Sequence, residues 1–147
     1  MWALTSTGTL ARLDAASGRI ERRWQGIVPA AGATAGAVAL AADPQGAWIL
    51  AVPQAGPGTL VRVAGDRILR RAAVPSGTLP LLAPGPDGVW TARRDPNGRY
   101  RAARLDPRTA RTTATVGLGT ARPVALADAG ARLWAVGGDG TLTAIAS

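Results

Sequence analysis

Residues 37–71 read AVALAADPQGAWILAVPQAGPGTLVRVAGDRILRR and hold one complete copy of a unit that recurs along the chain. An apolar run is followed by an Asp-Pro-Gln-Gly turn and by an alternating run around Trp48. A Gly-rich turn then leads to a third run, and Gly65-Asp66 leads to a fourth run that ends in paired Arg residues. Short alternating runs joined by Gly- and Asp-containing turns are typical of antiparallel β-strands. The stretch therefore predicts four consecutive strands, which we label A to D in chain order.

The Trp residues give the period of this unit. Trp2, Trp48, Trp90 and Trp134 are separated by 46, 42 and 44 residues, and each lies in strand B of its copy. A period of about 40–50 residues with four strands in each copy is typical of a β-propeller. The sequence therefore predicts an all-β fold with a period of about 44 residues, made of propeller blades of four antiparallel strands in the order BCD-ABCD-ABCD-ABC.

We expect a single partial β-propeller over residues 1–147, with blade units of about 1–36, 37–76, 77–120 and 121–147. The apolar runs that open the later copies predict innermost strands buried beside a central channel, at residues 37–41, 79–83 and 124–127. An arc of blades leaves sheet edges and flat faces uncovered. We therefore expect its partners to be the remaining blades of a longer chain or further copies of the same chain.

The composition excludes several kinds of chemistry. The chain has no Cys and no His, so a thiol nucleophile, a disulfide, an imidazole base and an imidazole metal ligand are all excluded. The Asp residues fall in predicted turns, and the one Glu, Glu21, lies on an outer strand beside two Arg residues. No carboxylate pair is left for acid–base catalysis or for a hard metal ion. We therefore expect no metal, no cofactor and no catalytic residue within the chain.

The net charge of +8 comes from Arg alone, since none of the 17 basic residues is Lys. The use of Arg in place of Lys, together with the many Ala, Gly and Pro residues, indicates a gene from a GC-rich bacterium. Because this coding bias accounts for the Arg residues, a nucleic-acid-binding surface is not expected. No apolar run is long enough to span a membrane. The first residues lack the features of a signal peptide, so the sequence predicts a soluble protein and leaves its compartment open.

Several repeated residues are interpreted as structural. Asp14 and Asp106 occupy equivalent turns between strands C and D, where an Asp side chain caps its own backbone. The repeated Trp residues are predicted to pack between blades, as the largest side chains of an Ala-rich core. Asp43, Asp87, Asp128 and Asp139 are also assigned to turns. The Arg pairs on the outermost strands are interpreted as charges that prevent edge-to-edge association.

The motifs themselves resemble a known group. One stretch of the chain is Gly119-Thr120-Ala121-Arg122-Pro123-Val124-Ala125-Leu126, followed by Asp128 and by Leu133-Trp134-Ala135-Val136. This stretch is similar to the blades of YVTN-type and streptogramin-lyase-like propellers. Leu13-Asp14, with Gly18-Arg19-Ile20, is similar to the turn that follows in those blades. The resemblance spans the chain and implies a blade type but no activity. Streptogramin lyases are expected to use a His, which no position here supplies.

The segments that depart from the repeat are the candidates for ligand binding. Residues 24–36 form a long connection from strand D to strand A, and residues 93–99 are predicted to lengthen one B–C hairpin. Both kinds of connection open on the same face of a propeller, and loops on such faces often bind ligands. Within the hairpin we predict that Arg93, Arg94, Asn97 and Arg99 bind an anionic group.

Two functions fit these observations. The first is a non-catalytic binding, interaction or sensor module whose partner is a protein or an anionic ligand, and the absence of a catalytic constellation favours it. The alternative is part of a propeller enzyme, a lyase or a hydrolase, whose catalytic residues lie outside this chain. His residues or clustered carboxylates on the channel-facing loops of further blades would indicate the enzyme.

Overall fold

The structure is a computed structural model that describes residues 1–5, 7–28, 36–106 and 108–146. These residues form fourteen β-strands, and none of them belongs to a helix that could cross a membrane. The strands are β1 (Trp2–Leu4), β2 (Leu10–Leu13), β3 (Ile20–Trp24), β4 (Ala37–Asp43), β5 (Gly46–Val52), β6 (Gly58–Ala64), β7 (Arg67–Val74), β8 (Ala83–Gly85), β9 (Gly88–Arg94), β10 (Tyr100–Leu105), β11 (Thr112–Gly119), β12 (Pro123–Asp128), β13 (Arg132–Gly137) and β14 (Leu142–Ala146).

The strands form four antiparallel sheets in which consecutive strands are neighbours. The first sheet contains β1 to β3, the second β4 to β7, the third β8 to β11 and the fourth β12 to β14. The predicted all-β class is confirmed, and so is the predicted strand order of BCD, ABCD, ABCD and ABC. Residues 29–35 of the predicted D–A connection lie outside the described residues.

Apolar side chains on both faces of the two middle strands of each complete sheet build the core. In the second sheet, Ile49, Val61 and Val63 are fully buried against Leu10 and Ile27 from the first copy. The residues that alternate with these point to the opposite face, because successive side chains of a strand lie on opposite sides of a sheet. Trp48, Leu50 and Leu60 accordingly pack against Val89 and Leu105 of the third sheet.

The same arrangement recurs at the next interface. Trp90, which is 1% exposed, packs with Ala102 against Leu133 of the fourth sheet. Trp2 lies on the second-sheet side of the first sheet, and its ring centroid is 5.5 Å from that of Trp24. In each case the face that carries the repeated Trp contacts the opposite face of the following sheet. The stacking of the sheets therefore follows directly from the Trp period of the sequence.

The innermost strands differ from the prediction, which placed them in a buried position. β4 and β12 are only partly buried, with Val38 at 38% and Val124 at 55% exposure. Each is an edge strand of its sheet, so it has a neighbouring strand on one side only. The prediction of two-sided burial was wrong for these strands, because among the described residues no further element covers their inner edge.

The innermost strand of the third sheet also begins later than predicted. The sequence indicates a strand at residues 79–83, whereas β8 covers only Ala83–Gly85. Pro80 lies within the predicted run and has no N–H to donate to a neighbouring strand. The preceding segment is held differently, since Leu79 N donates to Ala92 O at 2.7 Å and Leu81 N donates to Leu79 O at 2.8 Å.

The outermost strands carry the Arg pairs, as the sequence indicates, and two of these residues also connect sheets. The Arg71 guanidinium donates to Gly26 O at 3.0 Å, and that of Arg70 reaches Thr109 O at 3.5 Å. The two side chains point in opposite directions, to the first and the third copy, because neighbouring residues of β7 lie on opposite faces. These arginines therefore have a bridging role in addition to the edge protection inferred from the sequence.

Candidate functional site

The turn between β9 and β10, which contains the predicted anion-binding residues, is ordered by one carboxylate. Asp95 Oδ1 accepts from the backbone N–H groups of Asn97 and Arg99, both at 3.0 Å. Asp95 Oδ2 forms an ion pair with Arg101 Nε at 3.2 Å. Asp95 N also donates to Arg99 O at 2.8 Å, which closes the base of the turn. A short loop held at so many points presents its remaining side chains from a fixed backbone.

Asp95 is held in its charged form. Desolvation raises the pKa of its carboxyl, but the hydrogen bonds from Arg99, Arg101 and Asn97 outweigh this, so the pKa lies below its ordinary value. The sequence places Asp95 in the hairpin, where no role was predicted for it. The signal that identifies it is an Asp two residues before Asn97 and four before Arg99, which is the spacing of a side chain that caps its own turn.

The predicted lengthening of this hairpin was wrong. β9 continues to Arg94 and β10 begins at Tyr100, so the connection has the five residues 95–99. The equivalent connection in the second sheet, residues 53–57, is the same length. Arg93 and Arg94 are therefore strand residues. What distinguishes this hairpin is its chemistry, with Arg residues on both sides of a capped turn.

Strand geometry separates the two adjacent Arg residues of the predicted site. Arg93 lies on the same side of β9 as Val89, toward the second sheet, and Arg94 lies on the side of Trp90, toward the fourth. Arg93 is half-buried, and its Nε has no hydrogen-bond partner among the described residues. Arg94, Asn97 and Arg99 are exposed. Three of the four predicted residues are thus exposed at or beside the turn, and Arg93 is half-buried in the strand that leads into it.

The ends of the B–C and D–A connections meet on one face of the molecule. In the third copy, Arg94 N donates to Gly77 O at 2.9 Å, which joins the B–C turn to the segment that enters strand A. In the fourth copy, Gly138 N donates to Arg122 O at 2.8 Å in the equivalent way. The Asp95 turn and the segment around Arg122 therefore lie at the same end of their sheets. We call this end the upper face.

A second polar group lies between the sheets, at the opposite end of strand B. Asp43 accepts from Trp48 Nε1 at 3.0 Å, from Arg62 Nη2 at 2.9 Å and from Gln45 N at 2.8 Å. The Arg62 guanidinium carbon also lies 4.7 Å from the centre of the Trp48 ring, a cation–π contact. Although desolvation raises the pKa of Asp43, the hydrogen bonds from Arg62, Gln45 and Trp48 lower it below its ordinary value. The sequence predicts a turn at Asp43 but does not indicate Trp48 and Arg62 as its partners.

The third sheet lacks this carboxylate. Gly85 occupies the position of Asp43, since Gly85 pairs with Gly88 across the turn as Asp43 pairs with Gly46. Trp90 Nε1 accordingly has no hydrogen-bond partner among the described residues. A Cβ at position 85 would overlap the carboxylate of Asp128, so the glycine leaves the space that this carboxylate fills.

The remaining acidic groups serve local structure. Asp14 accepts from Ser17 N at 2.8 Å and Ser17 Oγ at 2.7 Å, and Asp106 accepts from Thr109 N at 2.6 Å and Thr109 Oγ1 at 2.9 Å. These bonds lower the pKa of both carboxyls. Glu21 is paired with Arg12 at 2.7 Å. In the part of the chain that the structure describes, no three acidic side chains are grouped as a metal site would require.

Comparison with solved structures decides the fold. The chain matches the Dos1 propeller with a TM-score of 0.63 and 13% sequence identity, over 100% of this chain and 44% of that one. The fold is that of a β-propeller. The chain also matches the computationally designed Ika4 protein, with a TM-score of 0.62 and 16% identity over 99% of this chain and 83% of that one. No protein-family model and no curated protein matches the chain. The four sheets are therefore propeller blades, and at these identities the likeness concerns the fold alone.

Proposed function

We propose that this chain is a non-catalytic β-propeller interaction module that binds an acidic segment of a partner protein on its upper face. Its blades are of the type found in the YVTN and streptogramin-lyase-like propellers, on the motifs around Arg122 and Trp134. The contact residues are Arg94, Asn97 and Arg99 on the turn between β9 and β10. Arg93 supports them from the base of the turn.

The observation that carries this proposal is the Asp95-capped turn. Three backbone and side-chain donors converge on the Asp95 carboxylate, so the loop does not need to be ordered when a ligand binds. The exposed side chains of Arg94 and Arg99 flank the turn with positive charge. Guanidinium groups form paired hydrogen bonds with carboxylates, and an Asn amide adds a donor. A carboxylate-rich peptide matches this set of donors.

An acidic protein segment fits better than a nucleic acid. Nucleic acid binding needs basic residues that follow the phosphate backbone over a contiguous surface. Several arginines outside the turn are already engaged, since Arg12, Arg62 and Arg104 form ion pairs and Arg70 and Arg71 contact neighbouring blades. The exposed positive charge of the turn is therefore compact, and a short acidic peptide is sufficient to cover it.

The proposal is tested by titrating a fluorescent poly-glutamate peptide into the purified chain. We expect the double variant Arg94→Glu/Arg99→Glu to lose affinity by about tenfold or more, because each reversal replaces an attraction with a repulsion. The control is Arg19→Glu/Arg67→Glu, which changes the net charge equally at exposed positions outside the turn. This control should lose at most about twofold in affinity, because charges outside the turn act on the peptide only at long range, where salt screens them.

Two results would count against this function. Equal losses in the two double variants would mean that the peptide responds only to overall charge. Tighter binding of duplex DNA than of the peptide, with an affinity that falls steeply with salt, would favour the nucleic-acid interpretation instead. Thermal unfolding of each variant checks that the blades are intact.

A further inference from the structure

A pocket on the upper face lies between the inner ends of the third and fourth blades. It has a volume of about 300 Å³ and is lined by Leu79, Pro80, Leu81, Arg122, Pro123 and Val124. The Asp95 turn does not contribute to this lining. We propose that the pocket binds a small molecule with one carboxylate and a short apolar body, independently of the acidic-segment site.

The wall from the third blade exists because Pro80 interrupts strand A. Leu79 stays bonded to β9 through Leu79 N and Ala92 O, and the bond from Leu81 N to Leu79 O holds the segment between it and β8. Proline also restricts the backbone at position 80 and at the residue before it. An apolar wall with little conformational freedom loses little entropy when a ligand covers it.

The wall from the fourth blade is held to the strand behind it. Pro123 pairs with Gly137 across the sheet, and Gly138 N donates to Arg122 O at 2.8 Å. Val124 is 55% exposed, so it offers apolar surface that nothing in the described residues covers. A register shift between Pro123 and Ala125 accompanies this exposed position. The two walls together form an apolar cleft next to the innermost strands.

Arg122 supplies the charge. Its side chain is exposed and forms no hydrogen bond or ion pair with the described residues, while its backbone is fixed by the bond to Gly138. No acidic residue lines the pocket, so the guanidinium has no competing internal partner there. Binding pockets are typically apolar with a few polar groups that orient the ligand. Here the one charge of the lining is positive, which selects an anion at one end of an apolar molecule.

The size and the single cation narrow the ligand class. A volume of about 300 Å³ lies at the lower end of the usual range for ligand pockets, so the ligand has few heavy atoms. A phosphate carries up to two negative charges at neutral pH, and the one guanidinium of the lining balances only one of them, so a singly charged carboxylate is the better match. A monocarboxylate with an unbranched or branched alkyl body can pair its charge with Arg122 and place its alkyl chain against both apolar walls. Small ligands of this kind bind weakly, and we expect a dissociation constant of about 1 mM.

The test uses sodium hexanoate as the probe, followed by saturation-transfer NMR on the purified chain. Hexanamide has the same apolar body without the charge and should bind about tenfold more weakly. Arg122→Gln should reduce hexanoate binding to the level of hexanamide. The matched control is Arg132→Gln, an exposed arginine of the same blade outside the pocket, and it should leave hexanoate binding unchanged.

Three results would overturn the proposal: equal binding of hexanoate and hexanamide, equal effects of the two Gln variants, or binding of a peptide with a free C-terminal Leu but not of hexanoate. Val124→Asp offers a second check, since it places a negative charge in the apolar wall and should abolish hexanoate binding. Poly-glutamate binding should persist in Arg122→Gln, and hexanoate binding should persist in Arg94→Glu/Arg99→Glu. Failure of one site is thereby distinguished from failure of the other.

Discussion

At the scale of single residues, Asp43 has the most consequential environment in the protein. Its carboxylate accepts hydrogen bonds from Gln45 N, Trp48 Nε1 and Arg62 Nη2, and Arg62 is buried, at only 4% exposure. A buried guanidinium that loses its counter-ion keeps its charge, because arginine does not deprotonate in proteins. The structural role of Asp43 therefore exceeds that of an ordinary turn cap.

Replacing Asp43 by Asn should lower the free energy of unfolding by about 2–3 kcal/mol at neutral pH, since the Arg62 charge stays buried without compensation. The folded-state pKa of Asp43 is below its ordinary value of 3.8, so its contribution is present above that pH and is lost as the pH falls through the folded-state pKa. The difference between wild type and Asp43→Asn should therefore shrink below about pH 4. Urea unfolding followed by Trp fluorescence measures both effects.

Asp87→Asn is the matched control for this variant. The Asp87 side chain is 74% exposed and its carboxylate is 3.5 Å from Arg104 Nη1, an exposed pair of the kind that contributes little. Its replacement should change the free energy of unfolding by less than about 0.5 kcal/mol. A similar loss in the two variants, or a loss in Asp43→Asn that does not depend on pH, would contradict the assignment.

The sequence predicted the local partners of residues better than their distant ones. Asp14 and Asp106 bind groups three residues away, which turn chemistry alone indicates. Asp43 binds Arg62, 19 residues away, and this contact depends on which strands are neighbours and in what register. Likewise, the split of Arg93 and Arg94 to opposite faces becomes evident only when β9 is known to extend through both.

At the scale of strands and turns, the strands were predicted from the alternation of apolar and polar residues and from the positions of glycines in the turns. Strands B and C were identifiable because they combine a Trp or branched residue with a Gly or Asp turn at each end. Strand A of the third blade was misplaced because the apolar run at residues 79–83 was assigned by hydrophobicity alone, although it contains Pro80. The burial of strand A was also overestimated, since a run of small apolar residues does not reveal whether its inner edge is covered.

Gly88 provides a test at this scale. It has a φ of +141°, and a Cβ there would overlap the carbonyl oxygen of Leu105 in the neighbouring strand. Gly88→Ala should therefore destabilise the protein by more than about 1 kcal/mol, through backbone strain and displacement of β10. The loss is measured as a lower midpoint of chemical unfolding.

Gly117→Ala is the control, because Gly117 lies within β11 and a Cβ added there would have no other group within 4 Å. This substitution should be neutral to within about 0.5 kcal/mol. If Gly88→Ala were equally neutral, the close approach between the A–B turn and strand C would not be a determinant of the blade.

At the scale of the whole molecule, one rule describes the contacts between blades. The Trp-bearing face of the first, second and third blades packs on the opposite face of the next, through the clusters centred on Ile49, Val89 and Leu133. On the fourth blade, Ile145 and Leu133 face the third blade, so Trp134 and the residues beside it lie on the other side. Among the described residues, nothing covers that face.

The uncovered face is apolar across its width. Trp134 pairs with Ala144, and Val136 pairs with Leu142, which is 63% exposed. Trp134 and Val136 are half-buried while Leu142 and Ala144 are exposed, so the face presents apolar surface to solvent, and apolar patches of this kind mark interfaces. The three internal contacts show which surface is complementary to it, namely the opposite face of another blade. We therefore predict that the purified chain self-associates through the Trp134 face.

Light scattering on a sizing column tests this prediction, with Leu142→Arg as the disrupting variant. A charge at this position must be desolvated on association, so the mass should fall toward that of the monomer of 14.9 kDa. Leu69→Arg is the control, since Leu69 is 59% exposed on the outer strand β7, away from the face. A wild-type chain that is monomeric at all concentrations, or an equal effect of the two variants, would show that the Trp134 face does not drive association. If only Leu142→Arg dissociates the chain, the rule that orders the blades within the molecule also governs contacts between molecules.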